Sequence, residues 1–330
     1  MGNLALTLAC GDYDRTRALH DESVKPDGID LTYLRLPVEE TFFRMMRHQE
    51  FDVAEMSFSS FVISLERDPA PFVGLPVFPS RMFRHGGIYI NTGSGIERPQ
   101  DLRGKVVGLP EYQLSANVWI RGLLADEYDV PVDSVTYRTG GQEQAGRIEK
   151  ARLQLPDNIR VEPIDPTQTL SQMLAEGEID ALYSPRIPSP FADRDPRVAR
   201  LFPDVVQAEK DYFSTTGIFP IMHVVALRRD VYEAHPWVAQ SLTKAFFRAK
   251  AEVFDRLYDS SALRFMLPWL NQYLEEARDL LGDDYWSYGL EPNREVLDAF
   301  LRYHHEQGLS RQRMTPEDLF APESVESFLI

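Results

Sequence analysis

Short apolar runs alternate with segments of helical periodicity along this chain, and that alternation constrains its fold more than any other feature. Residues 4–9, 29–34 and 52–56 read as strands, while 14–21, 38–49 and 61–66 read as helical. In the second of these helices Phe42, Phe43, Met45 and Met46 are candidate core residues. A strand–helix–strand–helix–strand order specifies a sheet with helices packed on its faces. Further strands are expected at 72–78 and 87–91. A second run of the same kind has strands at 106–109, 135–138, 160–163 and 179–183, with helices at 116–127 and 168–176. The hydroxyls of Ser115 and Thr167 are expected to cap these two helices, and Gly177 to stop the second. A return strand at 223–227 follows. Beyond Val231 the pattern is mostly helical, with Val238, Leu242, Ala245, Phe246, Ala249 and Val253 forming one buried stripe.

Two α/β runs, a return strand and a helical C-terminal region describe an α/β protein of two lobes. The expected division assigns residues 1–100 and 216–330 to lobe one and 101–215 to lobe two, with two interlobe crossings near 91–106 and 212–223. A chain of 330 residues is long enough to build both lobes around their own cores. Strand carboxyl ends and helix N-termini converge between such lobes, so a small ligand is expected there.

Composition removes several function classes. The chain has 35 Lys and Arg against 51 Asp and Glu, a net charge of −16, which argues against a nucleic-acid partner. Its single cysteine excludes an intrachain disulfide framework and a cysteine-built metal cluster. No run approaches the roughly 18 apolar residues of a membrane span. The stretch from Leu4 to Cys10 has the look of a lipoprotein cleavage site, but no basic residue precedes it and its apolar run is short. It is expected to be the first strand, and the protein to be cytoplasmic. No glycine-rich phosphate motif is present, so nucleotide binding is not expected.

Four blocks then carry a likeness: PVFPSRMFRHGGIY at 76–89, GLPEYQLSANVWIRG at 108–122, IDALYSPR at 179–186 and GIFPIMH at 217–223. Together they resemble the 4,5-dihydroxyphthalate decarboxylase family, whose fold is similar to that of type II periplasmic solute-binding proteins. The resemblance implies a two-lobed type II periplasmic-binding-protein-like fold closing over a ligand. It also implies loss of CO2 from 4,5-dihydroxyphthalate to give protocatechuate.

That chemistry sets requirements. With a hydroxyl para to the leaving carboxylate, the ring can accept a proton at the carboxylate-bearing carbon and act as its own electron sink. No organic cofactor is then expected; a divalent metal that polarises the phenol is the alternative. The protein must supply an acid/base pair, cationic groups for the carboxylates and a partly dry pocket. His85 and His223 are the acid/base candidates, since imidazole titrates nearest neutral pH. Arg81, Arg84 and Arg186 are candidates for the substrate carboxylates, which a guanidinium fork can hold through two hydrogen bonds. Glu111, Tyr112, Ser115 and Asn117 lie at a strand-to-helix junction suited to an anion, and Ser57 and Ser59 follow the third strand. If a metal is present, His85, His223 and Glu111 are its candidate ligands. The expected partner is a small aromatic carboxylate. The aromatic residues of the tail, Trp237, Phe246, Phe247, Trp269 and Trp286, also permit a homo-oligomer. A solute-binding protein for a carboxylate, or another lyase, would use the same scaffold, because fold does not fix function.

Overall fold

The computed structural model describes residues 2–149 and 153–325. Over these the chain forms two compact units. The first draws on Met1–Arg81, Ile221–Leu297 and Met314–Ile330, and the second on Met82–Pro220 and Asp298–Arg313.

The first unit is built on a five-stranded sheet of order β2-β1-β3-β11-β4. Its strands are β1 (Leu4–Cys10), β2 (Ile29–Arg35), β3 (Val53–Ser57), β4 (Phe72–Arg81) and β11 (Ile221–Arg228). β1 runs parallel to β2 and β3, while β11 runs antiparallel to β3 and β4. The carboxyl ends of β1 to β4 therefore share one edge with the start of β11. There Cys10 stands opposite Arg35, Ser57 opposite His223, and Arg81 opposite Ile221. Every residue of β3 is buried, as expected of a central strand covered on both faces, although one of them is the carboxylate Glu55. The helix Val38–His48 buries Phe42 and Met45 and leaves Phe43 exposed. The helix Trp237–Leu257 buries all six residues of its expected stripe.

The second unit has a six-stranded sheet of order β10-β5-β9-β6-β7-β8. These are β5 (Ile88–Asn91), β6 (Val106–Leu109), β7 (Thr136–Thr139), β8 (Arg160–Pro163), β9 (Ala181–Tyr183) and β10 (Val198–Arg200). β6, β7, β8 and β9 are parallel, and β5 is antiparallel to β9. Leu170, Leu174, Ile179, Leu182 and Tyr89 belong to one buried apolar cluster.

The boundaries differ from those read in the sequence. The chain leaves the first unit after Arg81, not near residue 100, because β5 exchanges hydrogen bonds with β9 and β10. It returns at Ile221. Part of the helical tail, Asp298–Arg313, belongs to the second unit, where Phe300 and Tyr303 pack on Trp119. Helical periodicity shows which face is apolar but not which surface that face will meet. The caps shift too. Leu114 occupies the N-cap of the helix Ser115–Tyr128, so Ser115 is its first helical residue. Thr169, not Thr167, caps the helix Leu170–Glu176 by accepting from the Gln172 N–H. Gly177 ends that helix in the left-handed region, as expected. Among the described residues no helix is long and apolar enough to cross a membrane.

Candidate active site

In a sheet of parallel strands the carboxyl ends are where loops converge and ligands bind. Each unit places its share of the expected residues near that edge. In the first unit Ser57 ends β3, Ser59 lies in the first turn of the helix Phe58–Leu65, Arg81 ends β4, and His223 is the third residue of β11. Ser57 occupies the N-cap of that helix without a side-chain cap bond. Beside them, at the ends of β1 and β2, a concavity of about 550 Å³ is lined by residues 11–13 and 35–38.

His223 is not alone at this edge. Its Nδ1 lies 2.6 Å from Oε1 of Glu55, a fully buried carboxylate two residues before Ser57 on β3. Glu55 is further held by the Tyr13 hydroxyl, which donates to Oε1 at 2.8 Å, and by the Gly11 N–H, which donates to Oε2 at 2.9 Å. The Cys10 thiol donates to Oε2 at 3.4 Å. Burial alone would raise the Glu55 carboxyl. The hydrogen bond and charge of His223, with the bonds from Gly11 and Tyr13, outweigh it and hold the group below its ordinary range. Burial and the Glu55 charge push the Cys10 thiol well up, so it stays protonated. The Phe42 ring meets His223 edge-on at 4.8 Å. Sequence reasoning missed Glu55. Its one signal was an acid inside the apolar run Val53-Ala54-Glu55-Met56, where a charge must be paired to be buried.

Arg81 is bound to the loop that precedes the helix Arg294–Glu306. It is buried, and its Nη2 donates to the Ser287 carbonyl at 2.7 Å and to the Asn293 side chain. Burial brings its pKa down to about 9.

In the second unit His85 is fully buried, edge-on to Tyr128, Phe202 and Tyr212 at 6.0, 5.0 and 5.2 Å. Neither ring nitrogen has a hydrogen-bond partner among the described residues. Burial lowers its pKa to about 4, so at neutral pH it is an uncharged ring in an aromatic box. Arg84 is also buried; desolvation lowers it to about 10, opposed by the charge of Glu209.

Glu111, Tyr112 and Asn117 form a closed polar knot after β6. Arg147 donates to Glu111 Oε1 through Nε at 2.9 Å and Nη2 at 2.5 Å, and Gln113 donates to Oε2 at 3.2 Å. Asn117 donates to the Glu111 carbonyl at 2.9 Å. The Tyr112 N–H donates to Glu149, and the Arg121 guanidinium lies 3.8 Å over the Tyr112 ring. Burial, with the Glu111 charge adding to it, raises the Glu149 carboxyl to about 7. Ser115 is buried in the first turn. Arg186, just past β9, is the exposed arginine of the three, its N–H donating to Ser184 Oγ at 3.0 Å.

The donor set expected for a metal does not fit one. His223 pairs with Glu55, Glu111 is engaged by Arg147, and His85 sits among aromatic rings. Among the described residues no group of three His, Cys, Asp or Glu is arranged to hold an ion.

Two sheets of this topology, with the chain leaving and re-entering the first along the neighbouring strands β4 and β11, define the periplasmic solute-binding fold. Solved structures bear this out. The periplasmic sulfonate-binding protein of Methylobacillus flagellatus superposes with a TM-score of 0.54 at 13% identity, over 98% of this chain and 94% of its own. The aliphatic sulphonate-binding protein of Escherichia coli gives 0.51 at 13% identity, over 97% and 98%. At such identities the likeness concerns the fold alone. No protein-family model matches the chain. Its sequence is 42% identical over 330 residues, the whole of both chains, to the 4,5-dihydroxyphthalate decarboxylase of Comamonas testosteroni. It is 44% identical over 213 residues to the protein of the same name from Pseudomonas putida, covering 64% of this chain and 83% of that one. The chain belongs to the 4,5-dihydroxyphthalate decarboxylase family.

Proposed function

We propose that this chain is a carboxy-lyase that converts 4,5-dihydroxyphthalate to protocatechuate and CO2. The observation that carries this reading is the full-length identity to a decarboxylase of that name. The paired imidazole at the carboxyl edge of the first sheet adds an acid/base group of the kind the chemistry needs.

In this reading His223 exchanges the proton. As the phenol gives up its proton, electron density moves through the ring and the carbon bearing the para carboxylate takes up a proton. The carbon–carboxylate bond of the resulting dienone then breaks. Its electron pair restores the aromatic ring and the phenol oxygen, and CO2 departs, so one proton has replaced one CO2. Arg186 is assigned to a substrate carboxylate because its exposed guanidinium follows a strand end. Ser57, opposite His223, is assigned as a polar contact to the substrate. The ring is the electron sink, so the proposal requires no organic cofactor.

A cytoplasmic location is part of the proposal, supported by the place of Leu4–Cys10 inside the first sheet as β1. A homo-oligomer is also proposed, supported by exposed Met266, Leu267, Trp269 and Tyr273 on the first unit.

The test is CO2 release and the loss of substrate absorbance when the purified chain meets 4,5-dihydroxyphthalate. Turnover that falls by at least about 100-fold in His223→Ala, with the fold intact, supports the reading. Saturable binding of the intact compound without turnover overturns it in favour of a receptor.

A further inference from the structure

The acid/base proposal leaves open what fixes the state of the His223 ring. We infer that Glu55 is a positioning residue that holds His223 in the Nδ1–H tautomer, leaving Nε2 as its proton-exchanging atom, and that Tyr13 sets how strongly Glu55 does so. An ionised carboxylate has no proton to give, so in the 2.6 Å contact with Oε1 it is Nδ1 that donates. A neutral ring then carries its free lone pair on Nε2.

The division of donors between the two carboxylate oxygens gives the arrangement its logic. Oε2 takes the Gly11 N–H and the Cys10 thiol, which anchor the carboxylate to the end of β1. Oε1 is shared by His223 and the Tyr13 hydroxyl. The two donors compete for the same electron density, so the tyrosine moderates the pull of Glu55 on the imidazole. The groups around the pair include Tyr13 and Cys10 at and beyond the end of β1, Tyr33 of β2, whose hydroxyl donates to the Gly11 carbonyl at 2.8 Å, Ser57 and Ser80 as the strand partners of His223, and Phe42 from the helix Val38–His48. The Arg15 guanidinium lies 4.1 Å over the Tyr13 ring and is a cation next to this network. Glu55 and His223 are 168 residues apart in sequence.

The experiment has two arms on the full chain. The kinetic arm rests on the decarboxylase reading; the spectroscopic arm does not, so the two can fail separately. In the spectroscopic arm, the ring nitrogens of 15N-histidine-labelled protein and the protons on them are observed at neutral pH, with His223 assigned by its absence in His223→Ala. The wild type is expected to show the Nδ1–H tautomer. Glu55→Gln removes the charge and is expected to mix the tautomers and to move the Nδ1–H proton resonance upfield. Tyr13→Phe removes the competing donor and is expected to move that resonance downfield, the opposite sign, as the bond to Oε1 strengthens. The kinetic arm is read as kcat and KM at one pH. Glu55→Gln loses roughly 10- to 100-fold in kcat with KM held within about twofold. An Nε2–H tautomer in the wild type overturns the inference, as do shifts of the same sign in both variants or none in either. If Glu55→Gln fails to fold, Tyr13→Phe decides alone: a downfield shift of the His223 Nδ1–H proton supports the inference, and an unchanged resonance overturns it.

Discussion

Arg147 sets both Nε and Nη2 on a single carboxylate oxygen of Glu111, at 2.9 and 2.5 Å, and Glu111 is wholly buried. Removing the cation takes both of these bonds from a buried charge. Arg147→Ala is therefore expected to cost about 2–3 kcal/mol, below the value for a fully buried pair because Arg147 is partly exposed. Glu111→Gln should cost less, and the double variant less than the sum. Denaturant melts of the four proteins check this as a cycle.

Acid should weaken the fold through His85. Its folded pKa of about 4 lies below the ordinary 6.5. As pH falls through 6.5 the unfolded chain takes up a proton that the folded chain refuses until about pH 4. Stability is then fully present above pH 6.5 and falls by up to ~3 kcal/mol between those values. His85→Leu is expected to flatten this part of the stability–pH curve. An unchanged curve would place the acid lability elsewhere.

Two arginines that look alike in sequence should separate in their effects. Arg81→Met removes the donor to the Ser287 carbonyl and Asn293 in a buried site, at a cost of about 2–3 kcal/mol. Arg186→Ala touches an exposed side chain and should leave the melting temperature unchanged while raising KM for the dicarboxylate about 10-fold. Thermal melts and steady-state kinetics on both proteins give the comparison directly.

At Gly122 the usual helix rule should reverse. Alanine in mid-helix ordinarily gains about 1 kcal/mol over glycine. Here an added methyl would run into the Tyr303 ring, well inside van der Waals contact. Gly122→Ala is expected to destabilise by about 2 kcal/mol, and Tyr303→Leu in the same chain to recover part of that loss. Denaturant midpoints read both.

Much of the fold could be read from local pattern. The strands β1, β2, β3, β6 and β9 and the stripe of the helix Trp237–Leu257 lie close to where periodicity puts them. The position of the candidate residues near strand ends was legible for the same reason, because Ser57, Glu111 and Arg186 each lie within three residues of the end of a strand. The environment of the charged and titratable groups was not. Arg81, Arg84 and Arg186 share one residue type, yet two are buried and one is exposed. His85 reads as an acid/base group in sequence and lies among three aromatic rings drawn from two distant helices and a loop.

The sequence by itself determined the α/β class, the two runs of strand and helix, and which segments end in polar loops. These follow from side-chain period and turn chemistry within about ten residues. Only the tertiary structure decided that β5 joins the second sheet, that residues 298–313 leave the tail for the second unit, and that Glu55 meets His223. Strand order and register between distant segments bring these groups together. A period of two or 3.6 residues records which face a side chain occupies, but not the partner that face will find.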